Sequence, residues 1–162
     1  MDRLWSPWRS EYIASGATDA QSDTCVFCEM QQHPENDESN SVVYRADHAF
    51  VVLNKFPYTS GHLLIVPHAH LGELDAAPRE VTDEMMELTK RAQTALRAAY
   101  RPDGFNVGMN LGRAAGAGIA DHIHIHILPR WVGDTNFMTA TGETRVLPED
   151  LSTTYQKLKH KF

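Results

Sequence analysis

Cysteine is scarce in this sequence. There are two in 162 residues, spaced as Cys25-Val26-Phe27-Cys28. A small secreted fold stapled by disulfides needs more of them, so that class is excluded. A redox pair, half of a metal site and two incidental thiols are the readings left. Positive charge is short as well: 15 Lys and Arg against 21 Asp and Glu give a formal charge of −6. That argues against coating nucleic acid, which wants a basic face. An anionic substrate would have to meet local positive charge instead. No apolar run approaches the ~20 residues of a membrane span. The amino terminus, Met1-Asp2-Arg3-Leu4-Trp5-Ser6-Pro7-Trp8-Arg9, has charge and proline where a signal peptide needs an apolar stretch. The expected setting is the cytoplasm, with neither membrane nor nucleic acid as partner.

What is present fits one domain with a real core, since 42% of the residues are apolar and 22% charged. Residues 1–24 read as an arm packing through Trp5, Trp8 and Tyr12, and residues 25–162 as a single domain. Residues 31–41 read as a polar loop. Val42–Arg45 and Ala49–Asn54 read as adjacent strands, with a turn at Pro57–Gly61 and a third strand over His62–Val66. From Val81 to Tyr100 the apolar positions Val81, Met85, Leu88, Ala92, Leu96 and Ala99 form one helical stripe. Phe105, Val107 and Met109 alternate as a fourth strand. After Pro148, Leu151, Tyr155, Leu158 and Phe162 mark a closing helix, with Glu149 and Asp150 at its start and lysines near its end. Hairpin-length connections around one inserted helix predict an α+β fold, an antiparallel sheet with one long helix and a C-terminal helix. The helix would cover the apolar face and leave the other for a site. Trp5, Trp8 and Trp131 read as packing residues, and Met85, Met86 and Met109 as core filler.

The chemistry concentrates in Asp121-His122-Ile123-His124-Ile125-His126-Ile127-Leu128-Pro129-Arg130. Alternation with period two predicts a strand with Ile123, Ile125 and Ile127 facing a core and three imidazoles in a row opposite. The row has three readings: an exposed polar face, imidazoles sharing a zinc, or a nucleophilic imidazole flanked by helpers. An uncharged imidazole attacks phosphorus well when an acceptor holds its other nitrogen and fixes the tautomer. The preceding loop carries Gly112, Gly116 and Gly118, with no bulky side chain from Ala114 to Gly118, so backbone N–H groups can approach an anion. With Arg113 and Arg130 close in sequence, it points to phosphate esters.

His122-Ile123-His124-Ile125-His126-Ile127-Leu128 resembles the signature of the histidine triad (HIT) family, His-x-His-x-His-x-x with x apolar. The likeness extends over most of the chain. Asn54-Lys55-Phe56-Pro57 and Gly61-His62-Leu63-Leu64-Ile65-Val66-Pro67 look like the family's nucleoside-binding strand pair. Leu4–Arg9 and Pro129–Phe137 look like the bacterial branch related to diadenosine tetraphosphate phosphorylases. The resemblance implies a HIT-like fold and a homodimer, with Trp131 and the tail near its interface. It implies an enzyme acting on an adenine nucleotide or dinucleoside polyphosphate at the α-phosphorus. His124 would attack and form a nucleotidyl-histidine, His126 would stabilise the leaving group, and His122 would orient its neighbours or bind metal. Asn54 would hold the nucleoside, Asn110 and the backbone at Gly116 and Gly118 would face phosphate, and His62 would buttress the site. Many family hydrolases carry Gly-Gln-Ser/Thr before the triad. Here Ala117-Gly118-Ile119-Ala120 lacks those polar groups, which shifts weight from simple hydrolysis towards phosphorolysis or dinucleotide cleavage. A binding module with little turnover is the alternative.

Cys25 and Cys28 look like the zinc-binding start of many members. A redox motif expects a strand leading into it and a helix beginning at it, whereas a polar loop is expected here. A closed zinc site needs two further ligands. The resemblance nominates His122 and a histidine past Pro67, with His70 matching the usual spacing better than His68. Such a site would be structural.

Overall fold

The computed structural model describes residues 25–142 and 146–162. The aromatic arm expected over residues 1–24, with Trp5 and Trp8, lies outside them. Five strands, β1 (Val42–Arg45), β2 (Ala49–Leu53), β3 (Leu63–Pro67), β4 (Gly104–Gly108) and β5 (Ile125–Arg130), make one sheet. Their order is β1-β2-β3-β5-β4 and every pairing is antiparallel. The helices are α1 (Val26–Gln32), α2 (Asp37–Asn40), α3 (Arg79–Tyr100), α4 (Phe137–Gly142) and α5 (Leu151–Leu158). The α+β architecture expected from the sequence is the one observed.

The apolar stripe of α3 explains the main core. Val81, Met85, Leu88, Ala92 and Leu96 pack on Val51, Leu53, Leu63, Ile65, Ile125 and Ile127, each large side chain worth about 2 kcal/mol of burial. Every residue of β2 and β3 is buried, which takes cover on both faces. The second cover is smaller. Phe27 of α1 packs with Val42, Phe50, Val52, Leu64 and Val66 on the face away from α3. The face expected to be free for a site is therefore partly roofed by α1. Gly61 turns the β2–β3 connection at φ 77°, where a Cβ would stand 3.0 Å from Leu96 and 3.3 Å from both Pro129 and Tyr100. Glycine is required there on both counts.

Four expectations need correction. Residues 31–41 are not a loop: α1 runs to Gln32, a 3₁₀ turn spans Pro34–Asn36, and α2 follows. Tertiary contacts override the polar composition, because Phe27 anchors α1 and Arg45 forks onto Asp37, its Nε 2.8 Å from Oδ2 and 3.1 Å from Oδ1. The histidine strand is shorter than its alternation suggests and starts only at Ile125. Upstream, the Ile123 N–H donates to the Leu71 carbonyl at 2.7 Å, which draws the chain out of the ladder. Met86 is 52% exposed, off the α3 stripe. Helix α4 carries no apolar period to announce it. Met85 and Trp131 sit as expected, Met85 in the core and Trp131 edge-on to Tyr100 with ring centroids 6.4 Å apart.

Candidate functional site

Bonding to groups of known role fixes which ring nitrogen of each triad histidine carries the proton. A carbonyl oxygen only accepts, so the His124 Nδ1–H donates to the His122 carbonyl at 2.9 Å. The remaining Nε2 of His124 has no protein partner among the described residues. It is also not one of the buried unpaired atoms, so its lone pair reaches the surface of the site. By the same reasoning the His122 Nε2–H donates to the Pro67 carbonyl at 2.8 Å, leaving a lone pair on its Nδ1.

A relay fixes His126. The Tyr58 N–H donates to His62 Nδ1 at 3.1 Å, so the His62 proton sits on Nε2. That Nε2–H donates to His126 Nδ1 at 2.9 Å. The His126 proton is then on Nε2, a donor, beside an accepting Nε2 on His124 whose ring centroid is 4.9 Å away. A nucleophile and a hydrogen-bond donor thus stand side by side in opposite tautomers. Burial keeps all four rings neutral. It pushes His62 down to about 3 and His126 to about 4, with neighbouring imidazoles adding to the effect, and it also lowers His122 and His124.

This neutrality has a consequence for stability. Below about pH 6.5 the unfolded chain takes up protons on these imidazoles, while folded His62 resists to about pH 3. The unfolded state then binds more protons, so stability is lost as pH falls through that window. His62, wholly buried, contributes about 2 kcal/mol of this loss by pH 5. Urea midpoints are expected to drop between pH 7 and pH 5, and to drop less in His62→Gln. Identical pH dependence in the two proteins would refute it.

A cavity of about 240 Å³ opens beside His126, lined by Tyr58, Asn106, Gly108, Met109, Asn110 and Leu128 among others. The sequence singled out Asn110, whose amide donates to the Gly116 carbonyl at 3.4 Å and holds the glycine loop against this cavity. Gly112 and Gly116 take φ of 78° and 88°. Gly118 is half-buried in the same loop. Asn54 accepts from the Phe56 N–H at 3.0 Å and has its amide nitrogen 3.4 Å from both His62 ring nitrogens. His62 lies behind His126 rather than in the cavity. Arg130 is committed to Asp134 at 2.8 Å and Asn106 at 2.7 Å, while Arg113 stands exposed on the loop. Tyr58 and Phe27 were missed. Each lay between singled-out residues, Tyr58 between Asn54 and His62 and Phe27 inside the cysteine pair, and position was their only signal.

The cysteines face the other edge of His122. Its Nδ1 lone pair lies 3.4 Å from Cys25 Sγ and 3.7 Å from Cys28 Sγ, and His70 Nδ1 lies 3.2 Å from Cys28 Sγ. One ligand atom from each of Cys25, Cys28, His70 and His122 fits within 4.8 Å of the others. Two soft sulfurs and two imidazole nitrogens at that spacing form a Cys₂His₂ donor set suited to a tetrahedral metal such as zinc. His68 is elsewhere, its Nε2 bonded to the Ala46 carbonyl at 3.0 Å. A helix does begin at Cys25, against expectation, so topology no longer separates a redox pair from a metal site. The two histidines at the sulfurs do. Burial and the neighbouring Cys25 push the Cys28 thiol up, which disfavours a reactive thiolate in the absence of a cation. Among the described residues no helix is long and apolar enough to cross a membrane.

Comparison with known proteins agrees with this geometry. The HIT domain family model matches residues 35–132. AP-4-A phosphorylase of Mycobacterium tuberculosis is 38% identical over 161 residues, covering 98% of this chain and 83% of that protein. An uncharacterised HIT-like protein of Saccharolobus solfataricus is 31% identical over 114 residues, covering 70% of this chain and 79% of its own. Among solved structures, a Zn-bound histidine triad family protein from Mycobacterium smegmatis superposes with a TM-score of 0.69 at 29% identity. The match covers 85% of this chain and 92% of that one. With its three histidines, sheet order and matched domain in agreement, the chain belongs to the histidine triad family.

Proposed function

We propose that this protein is a nucleotidyl transferase that cleaves dinucleoside polyphosphates, with diadenosine tetraphosphate as substrate and inorganic phosphate as acceptor. The single observation that carries the reading is the pairing of opposite tautomers at His124 and His126. His124 Nε2, neutral and unpartnered, attacks the α-phosphorus, and a P–N bond forms as the P–O bond to the leaving polyphosphate breaks. The His126 Nε2–H donates to the leaving oxygen as charge develops there. The tautomer relay from Tyr58 through His62 keeps that donor in place. Phosphate then attacks the nucleotidyl-histidine, frees His124 and releases the second nucleotide. The AP-4-A phosphorylase relative at 38% identity supports this substrate. So does the stretch Ala117–Ala120, which lacks hydroxyl or amide side chains. Asn110 and the backbone at Gly116 and Gly118 would meet the phosphates, and Asn54 the nucleoside turn.

The four-residue Cys–His set would hold zinc, which when bound acts as a structural tie. Residues 25–162 would act as one domain and pair as a homodimer. The unpaired outer edge of β4, with Val107 46% exposed, supports that pairing.

Product analysis on diadenosine tetraphosphate, with and without inorganic phosphate, tests the reading. ADP plus ATP formed only when phosphate is supplied is the expected result. AMP plus ATP in either condition would make the protein a hydrolase. Binding with no turnover would make it a nucleotide-binding module.

A further inference from the structure

We infer that Phe27 is a positioning residue for the His124 ring, and that the cysteine–histidine cluster sets Phe27 in place. The inference rests on the reading of His124 as nucleophile. Phe27 is 4% exposed, and its ring centroid lies 5.2 Å from that of His124 and 5.3 Å from that of His122. The hydrogen bond to the His122 carbonyl pins one edge of the His124 ring and leaves the ring free to swing about that bond. Two aromatic rings pack against it, those of Phe27 and His126. His126 is itself held by the relay through His62, so Phe27 is the wall on which the remaining freedom depends.

What fixes that wall is the cysteine pair. Phe27 lies between Cys25 and Cys28 in the first turn of α1, a helix of seven residues. Such a helix is too short to hold its place by propensity alone. Its position comes from Phe27 in the second apolar cluster and from two sulfurs set against His122 and His70. His122 completes the link, with its ring at the sulfurs and its carbonyl on His124 Nδ1. The cluster therefore reaches the nucleophile by two routes, through the His122 main chain and through the Phe27 ring. Phe27 does not line the cavity beside His126, so its effect is expected on turnover rather than on substrate affinity.

The test compares zinc-loaded wild type with Phe27→Leu and Phe27→Met, which nearly conserve volume, in chains carrying ¹⁵N-labelled histidine. Long-range ¹H–¹⁵N spectra read the His124 tautomer without turnover. Wild type is expected to show one tautomer, protonated on Nδ1. Both variants are expected to keep one zinc per chain, show averaged His124 signals, and lose about tenfold or more in kcat with KM unchanged within about twofold. Folded variants with wild-type His124 signals and kcat would overturn the inference. So would a change confined to KM, which makes Phe27 a substrate contact. Variants that unfold or lose zinc also overturn it, since Phe27 is then structural only. If wild type turns over no nucleotide, the proposed function fails, while the His124 spectra still decide the role of Phe27.

Discussion

His124→Ala is expected to lower turnover of a dinucleoside polyphosphate by roughly 10⁴-fold or more, the scale seen when a covalent nucleophile is removed. Nothing else in the site can take over. His126 presents Nε2–H rather than a lone pair, His122 spends its Nε2–H on Pro67, and His62 is wholly buried behind His126. The fold should survive, at a cost of about 2 kcal/mol for the vacated space beside Phe27 and the unpaired His122 carbonyl. Nucleotide binding should persist, because the cavity beside His126 does not include His124 among its lining residues. Rapid-quench measurement with α-labelled diadenosine tetraphosphate reads both consequences. Wild type should accumulate an acid-labile, base-stable labelled protein, and the variant should accumulate none. An alanine variant with wild-type turnover would remove the nucleophile from the proposal.

His126→Ala separates the two roles. Loss of the donor should matter most for a poor leaving group. The variant should fall further behind wild type on diadenosine tetraphosphate than on an adenylate ester of an acidic phenol. That contrast is what a leaving-group donor produces and a packing residue does not.

Much of this arrangement was legible in the sequence, and the failures follow a physical rule. Patterns that repeat locally survived. The α3 stripe, the apolar runs of β2 and β3 and the glycine at position 61 each report a face or a backbone angle set by near neighbours. Alternation in the histidine segment gave the right residues but an overlong strand, because period two persists wherever residues point to opposite sides, with or without a ladder. His122 and His124 are buried beside α1 rather than displayed on a bare sheet. Helix α1 was invisible because Phe27 and Met30 are too few apolar positions to define a period, and its place depends on His70 and His122, far along the chain. The tautomers could not be read at all. They hang on the carbonyls of Pro67 and His122 and the amide of Tyr58, groups every residue possesses.

Disrupting the cysteine–histidine set should cost more stability than any single core truncation. The set joins α1, the segment after β3 and His122, three pieces otherwise linked on this face by the Phe27 cluster and the Leu71–Ile123 hydrogen bond. Structural zinc bound by such a set is worth many kcal/mol against an unfolded chain that has no preformed site. Cys25→Ala/Cys28→Ala is therefore expected to drop metal content from about one zinc per chain to none and to lower Tm by about 10 °C or more. Chelation of wild type should reproduce the shift, and zinc should restore it in wild type but not in the double variant. A redox pair predicts something different: a melting temperature that follows the thiol–disulfide state and ignores zinc. Wild type that carries no metal and melts identically with and without chelator would leave the four residues as a coincidence of packing. His70→Ala sharpens the decision, because His70 is exposed and contributes little to the core. Its removal should still weaken zinc and lower Tm if it is a ligand, and should do almost nothing if it is only a neighbour of Cys28.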